Sequence, residues 1–165
     1  MAPAPDPASG APIPVVVAGA LGRMGAEVVR AVLAAPDCTL VAAIDTTPGK
    51  EGTDVGLELG LGELEVAITA DFEGCLCQAS QAVRNDGPGA GAVLVDFTHP
   101  SVVYEHTRGA IAYGVHPVIG TTGLSPEQLS ELAVFADKAY AFTGVNDELG
   151  LIQEYFGAAS HRQAR

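Results

Sequence analysis

Short, unbroken apolar runs alternate with stretches of helical period along most of this chain. Ile13 to Ala18 reads IPVVVA, a β-branched run of the kind shown by a strand buried on both faces. The glycine-rich segment GALGRMG follows at 19–25. In AEVVRAVLAAPD after it, Val28, Val29, Val32 and Leu33 fall on one helical stripe, which Pro36 ends. TLVAAID (39–45) is a second apolar run that closes on an acid. Residues 13–45 therefore predict one β-α-β unit.

The pattern then pauses. TTPGKEGTDVGLELGLGE (46–63) is dense in glycine and turn formers and predicts a flexible loop before a third strand at LEVAI (64–68). DFEGCLCQASQAVRN (71–85) predicts a helix, NDGPGAG a turn, and AVLVDFTHP a fourth buried strand ending at Asp96. A helix from PSVVYEHTRGAIAYG leads into the strand HPVIG and the turn TTG. SPEQLSELAVFADKA then opens with Ser125 as N-cap, Pro126 at the first helical position and Gln128 three residues after the cap, which is a capping box. AYAFTGVN (139–146) offers a sixth strand. Strands alternating with helices predict an α/β fold, a doubly wound parallel sheet of the Rossmann dinucleotide-binding type, with right-handed crossovers. It occupies 13–145, between a disordered arm (1–12) and an atypical tail (146–165).

Composition narrows the function. The chain has 165 residues, 48% of them apolar and 17% charged, enough for one domain with a real core and too apolar for global disorder. Its net charge of −12 repels phosphate backbones, and the eight scattered Lys and Arg form no basic patch, so no nucleic-acid partner is expected. Cys38, Cys75 and Cys77 make an odd count without a disulfide framework, which fits a reducing, cytoplasmic setting. C-L-C is too tight for the usual metal-ligand spacing, so no metal is expected and the thiols read as buried and free. The N-terminal stretch has neither a basic start nor an apolar h-region. No apolar run approaches the ~20 residues of a membrane helix, so no membrane partner is expected.

In doubly wound sheets ligands sit at the carboxyl ends of the strands, where the strand order reverses. The turns GALGRMG, DFTHP and GTTG should all face that crevice. Gly19, Gly22 and Gly25 allow a tight turn and close backbone approach, and the helix beginning near Gly22 aims free N–H groups at a pyrophosphate. Asp45 stands where such sites place an acid on the adenosine ribose, although the same residue could simply cap the turn at Thr46 and Thr47. An acid there favours NADH, while Arg23 and Lys50 could compensate for the extra phosphate of NADPH, so both cofactors stay open. Among the histidines, His99 and His116 are expected at strand ends beside the crevice, His106 on a helix and His161 in the tail. None is assigned as a catalytic acid. Met24 is expected to pack under the glycine turn. Tyr104 and Tyr113 are expected to be core or surface contacts of their helix.

V-x-x-G-A-x-G-R-M-G, followed in order by VDFTHPSVVYEH and VIGTTGLS, resembles the nucleotide-binding domain of the 4-hydroxy-tetrahydrodipicolinate reductases (dihydrodipicolinate reductases) of lysine and diaminopimelate biosynthesis. The resemblance covers about residues 13–138. It implies hydride transfer from NADPH or NADH to a cyclic, imine-type small-molecule substrate made from aspartate semialdehyde and pyruvate. By position it implies that Gly19, Ala20, Leu21, Gly22, Arg23 and Met24 hold the pyrophosphate and Asp45 the ribose. Gly120, Thr121 and Thr122 would hold the nicotinamide side, with Asp96, Phe97 and Thr98 lining the same crevice. Family members continue into a second domain with a histidine pair, a lysine and a glycine-threonine clamp. After Lys138 this chain reads AYAFTGVNDELGLIQEYFGAASHRQAR, where only Asn146 loosely matches the family's nicotinamide-contacting segment. The expectation is a reductase chain truncated or frame-altered before its catalytic domain, with no general acid assigned. The alternatives are a non-catalytic dinucleotide-binding or sensing module, or an enzyme that borrows its acid from a partner subunit. Oligomeric state is left unassigned.

Overall fold

The computed structural model describes residues 11–83 and 91–143, with side chains as far as Ala139. The greater part of the expected arm, most of the turn at 85–91, and the tail with Asn146 and His161 lie outside the described residues.

Five strands form one sheet: β1 (Ile13–Ala18), β2 (Cys38–Ile44), β3 (Ile68–Thr69), β4 (Val93–Asp96) and β5 (His116–Ile119). Their spatial order is β3-β2-β1-β4-β5, and every pairing is parallel. The chain thus runs outward from β1 in both directions, which puts the reversal of strand order between β1 and β4. This is the doubly wound α/β architecture expected from the alternating pattern.

The apolar runs are unbroken because both faces of the central strand are covered. Val15 and Val17 pack on one face with Val29 and Val32 of α1 (Arg23–Ala34). Val16 and Ala18 face the other way, against Leu76 and Ala79 of α3 (Phe72–Ala82) and Ala110 of α4 (Val103–Ala112). A third cluster joins Ile111 of α4 to Leu132 and Ala136 of α5 (Pro126–Thr143). The start of α5 is the expected capping box: the Gln128 amide donates to Ser125 Oγ, and the Gln128 side chain accepts from the Ser125 amide.

Four expectations need correction. Residues 139–143 extend α5 instead of starting a sixth strand, because AYAFT contains no helix breaker and Gly144 is the first to follow. The third strand is only Ile68–Thr69. Glu65 adopts φ of 57°, which takes the segment out of extended conformation, and the amides of Leu64 and Val66 turn to the carboxylate of Asp54. That same carboxylate accepts from the Leu57 amide and caps a short helix, α2 (Val55–Glu58). Residues 46–63 are therefore an organised loop built around Asp54. Leu33 is 44% exposed, since it lies in the last turn of α1, where it borders an open groove with Cys38 and Thr39 at the start of β2 and stays outside the buried core.

Asp54→Ala should speed hydrogen exchange at the Leu64 and Val66 amides, while those of Val16 and Val17 in β1 stay protected. Two-dimensional NMR exchange rates measure this, and unchanged protection at Leu64 and Val66 would contradict the assignment of Asp54 as the loop's organiser.

Candidate dinucleotide site

The three turns named from sequence meet at the carboxyl end of the sheet, and they meet on one residue, Phe97. Gly19 leaves β1 with φ of +76°, and a Cβ built on it would lie 2.8 Å from the Phe97 carbonyl oxygen. A Cβ on Gly120, after β5, would lie 2.2 Å from the Phe97 ring. A side chain at Gly19 would meet the Phe97 backbone and force the two turns apart, and one at Gly120 would displace the Phe97 ring. Gly25 makes a third close approach, in which an added Cβ would come within 1.8 Å of the Gly19 carbonyl oxygen. This lets α1 begin directly on the turn. Gly123, at φ of +118°, packs on Pro100 and ties the GTTG turn to DFTHP a second time.

Gly22 is the N-cap of α1, and no side chain caps the first-turn N–H groups. Four such groups lack an intrahelical partner at any helix start, and here nothing acidic in the first turn competes for them. Met24 is 48% exposed at this end and does not pack under the turn as expected, because Gly25 and Ala26 take the buried positions. Arg23 is also exposed, and among the described residues no ion pair engages it.

Asp45 follows β2 and faces the glycine turn directly. Its Oδ2 accepts from the Leu21 amide at 2.9 Å, and its Oδ1 accepts from the amide and hydroxyl of Thr47 at 2.9 and 2.6 Å. The residue thus makes the turn cap anticipated at Thr47 and in addition fixes the glycine loop. Burial raises its pKa, but the hydrogen bonds from Thr47 and Leu21 outweigh that and hold the carboxyl below its ordinary range. Lys50, considered as a partner for a phosphate, is instead 2.6 Å from Glu58.

Asp96 ends β4 and is fully buried. Oδ1 accepts from the Thr98 amide and hydroxyl, and Oδ2 takes a 2.8 Å hydrogen bond from His106 Nδ1. Burial again raises its pKa, and the hydrogen bonds from His106 and Thr98 more than cancel the effect, holding the carboxyl below its ordinary range. Sequence reasoning gave His106 no role beyond a place on a helix. The signal was present, since Val103, His106, Thr107, Ala110 and Ile111 follow helical spacing, and the other four are buried. His116 begins β5 opposite Val93, at the amino end of the sheet, and so stands away from the crevice. His99 lies at the crevice end, hydrogen-bonded to Ser101. Tyr104 packs against the cluster between α4 and α5, and Tyr113 is at the surface. Cys75 is buried and Cys77 half-buried. Among the described residues no helix is long and apolar enough to cross a membrane.

The sheet order and the glycine turn at its switch point define the class: a Rossmann-type doubly wound domain. A family described as "Dihydrodipicolinate reductase, N-terminus" matches residues 13–146, and the chain belongs to that family. A 4-hydroxy-tetrahydrodipicolinate reductase of Synechococcus sp. (strain CC9605) is 81% identical over 129 residues, which are 78% of this chain and 46% of that protein. One from Parasynechococcus marenigrum is 80% identical over 127 residues, 77% of this chain and 45% of that protein. The chain therefore spans a little under half the length of the curated relatives it matches. Among solved structures, a dipicolinate-bound dihydrodipicolinate reductase from Paenisporosarcina sp. TG-14 shares 30% identity with a TM-score of 0.55, over 78% of this chain and 44% of that one. A Thermus thermophilus dehydrogenase solved with NAD and UDP-GlcNAcA has a TM-score of 0.57 at 20% identity, over 81% of this chain and 39% of that one, a likeness of fold.

Asp45 and Asp96 set an acid limit on stability. A carboxyl whose folded pKa is lowered stabilises the fold at pH above its unfolded value and loses that contribution as pH falls through the folded value. Unfolding midpoints should therefore drop as pH falls below about 4. Asp96→Asn should be less stable than the parent at pH 7 and lose less between pH 5 and pH 3. Urea melts across that range test this, and an unchanged acid slope in Asp96→Asn would contradict it.

Proposed function

We propose that this chain binds NADPH or NADH in the crevice between β1 and β4, as the nucleotide-binding half of a 4-hydroxy-tetrahydrodipicolinate reductase. The observation that carries the reading is the convergence of three turns on Phe97 beside an uncapped helix start. Gly19 and Gly22 would let the backbone approach the pyrophosphate, with Ala20 and Leu21 shaping the turn. The first-turn N–H groups at Arg23 and Met24 would receive its charge, an arrangement worth about 0.3–1 kcal/mol from the helix dipole alone. Asp45, kept ionised by its donors, would accept from the adenosine ribose hydroxyls. Gly120, Thr121 and Thr122 would border the nicotinamide side.

Bound NAD(P)H supplies a hydride. The protein's part is to orient the dinucleotide and to keep the turns closed around it. The substrate of the whole protein is inferred to be the cyclic small molecule named for its relatives, and protonation of that substrate is assigned to no described residue. Lys50, held by Glu58, leaves Arg23 as the cation nearest the turn, so an acid at position 45 tilts recognition toward a ribose without a 2'-phosphate.

Isothermal titration with NADPH and with NADH tests the reading. Saturable binding of at least one is expected, weakened about 10-fold by Asp45→Ala, equivalent to ~1.4 kcal/mol. Binding of neither dinucleotide, or binding indifferent to Asp45→Ala, would overturn it.

A further inference from the structure

A histidine–carboxylate pair lies behind the crevice, with Asp96 at the end of β4 and His106 on α4. His106 stands on α4 with an 18% exposed side chain, and Asp96 is 0% exposed. An ionised carboxylate only accepts, so the 2.8 Å contact has His106 Nδ1–H donating to Asp96 Oδ2. The imidazole is held on its flat face by Phe72, at the start of α3, with ring centroids 4.1 Å apart and planes 13° from parallel. A stack and a hydrogen bond together leave the ring little freedom to turn.

The other carboxylate oxygen shapes the turn. Oδ1 receives the Thr98 amide at 2.8 Å and the Thr98 hydroxyl, which folds Phe97 and Thr98 back over the end of β4. On that fold rest the Gly19 turn, through the Phe97 carbonyl, and the Gly120 turn, through the Phe97 ring. A rotation of the Asp96 carboxylate would release the Thr98 amide and hydroxyl and so loosen the turn on which the Gly19 and Gly120 turns pack. With Oδ1 already committed to Thr98, the orientation is fixed from the Oδ2 side, and among the described residues His106 is the donor there.

We infer that His106 is the positioning residue of the crevice: by donating to Asp96 it locks the carboxylate that sets the Phe97–Thr98 turn against Gly19 and Gly120. This rests on the dinucleotide reading above for its functional consequence, though not for its structural one. The residue type follows from the chemistry, because a buried carboxylate left with an unpaired oxygen is costly, and imidazole supplies a donor while its flat ring fills the slot beside Phe72.

Two variants separate positioning from bulk packing. His106→Phe keeps a flat ring beside Phe72 and removes the donor, whereas His106→Asn places a side-chain N–H near the position of Nδ1. In the ligand-free chain, amide NMR spectra of His106→Phe should show displaced Gly19, Phe97, Thr98 and Gly120 resonances and faster exchange at Thr98, and His106→Asn should restore the parent values. In titrations, His106→Phe should weaken NADPH or NADH binding about 10-fold, with His106→Asn within about 3-fold of the parent. Parent-like turn resonances in His106→Phe, or His106→Asn behaving like His106→Phe, would overturn the inference. If the parent chain binds neither dinucleotide, the reading of the crevice fails, while the ligand-free spectra still decide whether His106 positions the turn.

Discussion

Everything at the carboxyl end of this sheet depends on three missing side chains. Gly19, Gly25 and Gly120 bring backbone against backbone or backbone against ring at distances no Cβ tolerates, and only so can the turns after β1, β4 and β5 share one small volume. The glycine at 19 answers a second demand as well, a φ of +76° that disfavours an L side chain by about 1–2 kcal/mol. Close approach of turns thus sets three loops and the start of α1 side by side at the switch point of the sheet.

The polar groups behind those turns follow the same economy. Asp45 directly follows β2 and Asp96 ends β4; each accepts from the residue two positions on, and each reaches across to a distant segment, Leu21 in one case and His106 in the other. Each carboxylate is satisfied by several donors, which is what makes its burial tolerable. The arrangement also reconciles an acidic protein with the anionic ligand proposed for it. The net charge of −12 acts at long range and is screened within roughly 8 Å at physiological salt. At the turn itself, by contrast, the exposed Arg23 stands beside the first turn of α1, which no side chain caps.

Much of this was legible in the residues. Apolar runs located four of the five strands to within about one residue, and the Ser125–Gln128 box marked the start of α5. The three turns were placed at one edge by topology alone. What escaped the sequence was set by tertiary contacts. Asp54 gathers amides ten and twelve residues away, and no local pattern announces such convergence, so the stretch from 46 to 63 resembled loose loop. Met24 looked apolar enough to be buried, but the inward places beside it demand small residues, which Gly25 and Ala26 supply. His106 sat on a readable buried stripe, yet its meaning depends on Asp96 lying across from it, and only the packed structure brings the two together.

The central claim is that the three turns form a single dinucleotide crevice, and residue-resolved mapping tests it most directly. Amide chemical-shift perturbation on adding NADPH or NADH should be concentrated in residues 19–25, at Asp45, at Phe97 and Thr98, and in residues 120–123, with the groove beside Leu33 and Cys38 unaffected. Shifts confined to one turn, or centred on that groove, would contradict it.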